Sequence, residues 1–110
     1  MKTLTIYVNE EAVYEYDRDT HLEESQLAFL DKMDRDMGRG IKVKGELIAN
    51  PDKKQRANFV VMNLIKAMKQ DNDAIISVSC AYLANRIPAL VEVHANKNND
   101  AMNIDLIEEH

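Results

Sequence analysis

Residues 50–88, NPDKKQRANFVVMNLIKAMKQDNDAIISVSCAYLANRIP, decide the reading of this chain, because they hold two successive helices with more apolar surface than one contact face needs. Asn50 offers a side-chain oxygen as a helix cap, and Pro51 suits the first helical position, where its missing N–H costs nothing. Ala57, Val60, Val61, Leu64, Ile65 and Met68 recur at helical spacing and share one face of a helix that reaches Lys69 or Gln70. Phe59 and Met62 extend that face, while Arg56, Asn63 and Lys66 mark the solvent side. Asn72 or Asp73 then caps a third helix through Ile75, Ile76, Val78, Cys80, Tyr82, Leu83 and Ile87, which must end by Pro88. Its apolar residues nearly encircle it. Ser77, Ala81 and Ala84 form a line of small side chains along which a neighbour can approach closely, so the two helices are expected as an antiparallel pair.

Upstream, Thr20 with Glu23 three residues on forms a capping-box pattern for a first helix. Its apolar stripe is Leu22, Leu27, Phe29, Leu30, Met33 and Met37, and Gly38 ends it. At the N-terminus Leu4, Ile6 and Val8 alternate with Thr3, Thr5 and Tyr7, which predicts an antiparallel hairpin over residues 3–17. A three-residue loop at Asn9, Glu10 and Glu11 sets Val8 opposite Ala12, Ile6 opposite Tyr14 and Leu4 opposite Tyr16. At the C-terminus Val91, Val93 and Ala95, then Met102, Ile104 and Leu106, predict a second hairpin. A four-residue loop over 96–99 pairs Val93 with Met102. The connection over 38–50 is long, and Ile41 and Val43 alternating with Lys42 and Lys44 read as a short edge strand or a binding loop. The expected fold class is therefore α+β, with two antiparallel β-hairpins and three central helices in the order ββαααββ, and the hairpins joined in one antiparallel sheet.

A chain of 110 residues fits one domain over 1–110, able to bury roughly two thirds of the surface that its unfolded form exposes. The lone Cys80 excludes an internal disulfide and suits a reducing, cytoplasmic setting. Asn9, Glu10 and Glu11 cut the first apolar stretch short of a secretion signal, and no run approaches about 18 uninterrupted apolar residues, so no membrane partner is expected.

No catalytic, metal or cofactor constellation can be assembled from these residues. The neighbours of Cys80 on its helix, Ile76, Leu83 and Ala84, describe a buried face with no positive charge to favour a thiolate. Residues 17–24 collect potential ligands, but Leu22 and Ala28 stand where a calcium loop needs Gly and Glu, and Ala101 and Ile107 fail in the same way after Asn96. Gly38, Gly40 and Gly45 lack the spacing of a phosphate-binding loop. His94 is placed beside Glu92 on the polar face of its strand, and His21 by the first helix cap.

Charge is segregated. Residues 1–31 carry a net −6 and residues 70–110 a net −5, while residues 32–69 carry +6. Arg39, Lys42, Lys44, Lys53, Lys54 and Arg56 form a basic segment that folding can gather on one rim, as candidate contacts for an acidic partner. The acidic hairpins, or those of a second subunit, offer an alternative match for it. Nucleic acid is not the favoured partner, since the whole chain is acidic and Phe59 is the only aromatic residue in 32–69. The extra apolar circumference of the central helices, in Phe59, Met62, Val78 and Tyr82, points to self-association as a homodimer. The leading expectation is a non-catalytic protein-interaction or regulatory module. Binding of an acidic partner or nucleic acid through 39–56 comes second, and a small-molecule enzyme last.

Overall fold

A computed structural model of the chain describes residues 3–43, 45–98 and 101–109. The elements run β1 (Thr3–Val8), β2 (Glu11–Asp17), α1 (Glu24–Gly38), β3 (Ile41–Val43), β4 (Glu46–Ile48), α2 (Lys53–Lys69), α3 (Asp73–Arg86), β5 (Leu90–Asn98) and β6 (Ala101–Glu108). The fold is α+β, with a hairpin at each end and three helices between them, in the expected order. The β3–β4 pair is inserted between α1 and α2 as a second, two-stranded sheet. The long connection is thus a hairpin rather than a single edge strand, with Ile41 opposite Ile48.

The first hairpin turns on two residues, not three. Asn9 (φ 51°) and Glu10 (φ 68°) are both left-handed, the pattern of a type I′ turn, which matches the twist of the strands it joins. Val8 therefore faces Glu11, and Tyr7 faces Ala12. A bulge then leaves Val13 without a partner and restores the expected pairs, Ile6 with Tyr14 and Leu4 with Tyr16. The second hairpin also differs from expectation. Asn96, Lys97 and Asn98 stay in the ladder opposite Asn103, Met102 and Ala101, so Val93 faces Leu106 and Ala95 faces Ile104. The displacement is four residues, an even number, and every side chain keeps its face. The extra length is held from outside, because Asn9 donates its N–H to the Ala95 carbonyl and accepts from the Lys97 N–H through its side chain. Of the expected loop, only its last position, 99, lies outside the described residues.

The main sheet has the order β2-β1-β5-β6, and β1 runs parallel to β5, with Ile6 beside Val93. The sheet is mixed, not wholly antiparallel as expected. A parallel join needs a long crossover, which the helices between β2 and β5 provide. Alternation decides what each face meets. Leu4, Ile6, Val93 and Ala95 are fully buried and pack with Val60, Val61 and Leu64 of α2 and Cys80 and Leu83 of α3 in one core. Thr5, Tyr7, Glu92 and His94 occupy the opposite face.

Helix boundaries move by a few residues because caps compete. Glu23, not Thr20, caps α1, exchanging hydrogen bonds with Gln26, while the Thr20 hydroxyl donates to the Asp17 carbonyl. Asp52, not Asn50, caps α2, again with a reciprocal partner, Gln55. Asn50 is left-handed and Pro51 is buried ahead of the cap. Asn72 caps α3 as expected, accepting from the Ile75 N–H. Packing is uneven among the helices. α2 and α3 lie directly on each other, whereas α1 buries only Leu30 and Met37. No helix of the described residues is long and apolar enough to cross a membrane.

Candidate functional site

On α1 the core line is Leu30, Met33 and Met37, spaced three and four apart. Phe29 sits one residue before it, about 100° around the helix, and so projects from its flank. Its side of α1 borders an apolar groove of about 480 Å³ lined by Phe29 and Met33 of α1, Phe59 and Val60 of α2, and Ile75 and Val78 of α3. Phe29 is 48% exposed and Ile75 41%. Two opposite charges border the groove from different walls, Asp36 on α1 and Lys66 on α2. A second groove, of about 470 Å³, runs between α1, α3 and Tyr16 of β2 and shares Phe29 and Val78, so the Phe29 ring stands between two apolar depressions. Leu27, 38% exposed, lies on the other flank of α1.

Besides its buried Leu30 and Met37, α1 is held over the other helices by a polar cluster. Asp34 Oδ1 accepts from the Tyr82 hydroxyl at 2.5 Å and from Arg56 Nη1 at 3.1 Å, and Oδ2 accepts from Arg86 Nε at 2.9 Å. Arg86 Nη2 also donates to Asp31 at 2.7 Å, one turn back on α1. One carboxylate thus ties α1 to both α2 and α3. Burial by itself raises the affinity of Asp34 for a proton, but the hydrogen bonds from Tyr82, Arg86 and Arg56 outweigh it and hold the carboxyl below its ordinary range. The Tyr82 hydroxyl is pushed up, first by burial and then by its bond to the Asp34 carboxylate. With both arginines bonded to acids of α1, the cluster is a brace between helices rather than a vacant anion site.

The sequence-derived candidates separate on this framework. Phe59 and Val78 line the groove, half-buried; Met62 is half-buried outside it. Tyr82 does not contribute surface, since it is 3% exposed and its hydroxyl serves the brace. Among the helices the exposed large apolar residues are Phe29, Leu27 and Ile75 instead, and outside the helices Leu47, Val13 and Ile107 are also exposed. The sequence reading counts Leu27 and Phe29 in the apolar stripe of the first helix and Ile75 among the apolar residues of the third, and a stripe alone does not say which flank stays uncovered.

The basic segment divides as well. Arg39, Lys42, Lys53 and Lys54 are exposed and form no ion pair among the described residues, and Lys44 lies outside them. Arg56 is half-buried, bonded to Asp34 and to the Pro51 carbonyl. The described part of the segment makes no ion pair with the chain's own acidic hairpins.

Elsewhere, Cys80 is fully buried, and burial pushes its thiol up to about 12, where it is no nucleophile at neutral pH. His94 stacks on Tyr7 with ring centroids 4.4 Å apart and has Nε2 2.8 Å from Glu92 Oε1. Among the described residues no three His, Cys, Asp or Glu side chains converge as a metal site. No protein family, curated protein or solved structure matches the chain.

Proposed function

We infer that the protein is a non-catalytic interaction module of the cytoplasm that self-associates through the groove between α1, α2 and α3. The observation that carries this reading is Phe29, 48% exposed at a groove it shares with Phe59 and Val78. An aromatic ring held at an apolar depression is the anchor-and-pocket arrangement that dominates interface energetics. A two-fold arrangement suits it, because each copy then offers both an anchor and a receiving surface. The charges agree with that symmetry: Asp36, bonded to Lys32 on its own helix at 3.0 Å, and Lys66 border the groove from different walls, so a two-fold contact sets each against the opposite charge of the other copy.

Sedimentation equilibrium tests the reading. The wild-type chain should dimerise reversibly from its 12.6 kDa protomer, and Phe29→Asp should weaken the dimer at least about tenfold while leaving the far-UV circular dichroism unchanged. A wild-type protein that stays monomeric up to millimolar concentration removes the proposal. A second reading, binding of an acidic partner through residues 39–56, is supported by the exposure of Arg39, Lys42, Lys53 and Lys54 without intramolecular ion pairs.

A further inference from the structure

The main sheet ends on two free edges, and they are built differently. β2 carries the bulge at Val13 and the acids Glu11, Glu15 and Asp17, features that discourage pairing with a further strand. β6 has no Pro, Lys or Arg, and it pairs with β5 in unbroken register from Val93 to Asn98. The helical layer also stops short of it. Val93 and Ala95 of β5 are fully buried beneath the helices, whereas their partners Leu106 and Ile104 on β6 are only half-buried.

The space left over is a groove of about 570 Å³ between β6 and the first turn of α2. Ile87, Ile104 and Leu106 give it apolar surface, and Lys53 and Lys54 stand on its α2 side. Both lysines are exposed and neither has an ion-pair partner among the described residues. Two cations in the first turn oppose the helix dipole, so they do not serve the stability of α2.

We propose that this groove binds an extended acidic segment of a protein partner, which joins the sheet as a fifth strand along β6. The proposal deepens the second reading above, by placing the acidic partner and giving it a conformation. The unpaired N–H and C=O groups along β6 supply sequence-independent hydrogen bonds, and every second side chain of the incoming strand enters the groove. Apolar groups among these cover Ile104 and Leu106, and carboxylates meet Lys53 and Lys54. Glu108, on the same face of β6 as Ile104 and Leu106, also borders the groove, so the acids of the partner sit against the α2 wall rather than against β6. The remaining side chains of the segment face the other side of the sheet, near Asn103 and Asp105, where a further acid is disfavoured.

The test uses a labelled nonapeptide in which Glu and Val alternate at every second position and Thr fills the rest. Its controls are the same peptide with Lys for Glu and one with a central Pro. The Glu peptide should bind by fluorescence anisotropy, the two controls at least about tenfold more weakly, and the Lys53→Gln, Lys54→Gln double variant about five- to tenfold more weakly than wild type. Hydrogen exchange should show alternate amides between Met102 and Ile107 becoming protected on binding. Binding that leaves those amides unchanged overturns the added strand while the acidic-partner reading stands. Equal binding of the Lys peptide, or no binding at millimolar concentration, overturns both. Concentration-dependent protection of β6 in the protein alone assigns the edge to a second copy and also overturns the proposal.

Discussion

Replacing Asp34 by Ala removes the carboxylate that braces α1 against both other helices, and the cost follows from its three bonds. The Tyr82 hydroxyl, on a residue 3% exposed, loses its acceptor, and a buried donor left unsatisfied costs about 1–3 kcal/mol. The Arg56 and Arg86 pairs are about a quarter exposed on both sides, so solvent screens them and each contributes roughly 0.5 kcal/mol. The sum, about 2–4 kcal/mol at pH 7, is large against a total stability of roughly 5–15 kcal/mol. Urea denaturation should show it as a fall in the midpoint at unchanged slope. Tyr82→Phe removes the stranded donor, so the double variant should cost about 1 kcal/mol less than the two single variants together. The carboxyl is held below its usual range in the folded state, so its contribution is complete above the unfolded value and is lost as pH falls through the folded one. The gap between wild type and Asp34→Asn should therefore be full at pH 7 and shrink below about pH 4. A cost under about 0.5 kcal/mol, or a gap that ignores acidification, would refute the brace.

Two further outcomes follow from local geometry. Glu10→Gly should stabilise the fold by about 0.5–1 kcal/mol in thermal or urea melts, since a left-handed φ of 68° strains any residue with a Cβ and Asn-Gly suits this turn; a loss of stability would mean that the Glu10 side chain matters more than its backbone. Cys80 should react with a disulfide reagent at pH 8 at least about a hundredfold more slowly in the native than in the urea-unfolded protein, and fast native labelling would contradict its burial.

The elements whose signals are local were legible from the residues alone. The alternation of Leu4 and Ile6, the helical spacing from Ala57 to Met68, the Asn72 cap and the stop before Pro88 all concern neighbours within a turn or a pleat. Errors arose where two local solutions differ by little. Thr20 or Glu23, and Asn50 or Asp52, can each cap a helix, and what separates them is whether a Gln three residues on completes the reciprocal bond. The first hairpin shows the same limit, because a three-residue loop and a two-residue turn with a bulge give the same Ile6–Tyr14 pairing.

By itself, then, the sequence determined the fold class, the order ββαααββ, the faces of the strands and the surplus of apolar surface on the helices, since periodicity records which way each side chain points. Tertiary structure alone decided how that surplus is spent. It set β1 parallel to β5, drew Tyr82 and Arg56 inward to Asp34, left Phe29 at the mouth of a groove and stopped the helices short of β6. The reason is that each of these outcomes depends on residues far apart in the chain, such as Asp34 with Arg86, whose meeting is set by the packing of whole helices and leaves no mark in local spacing.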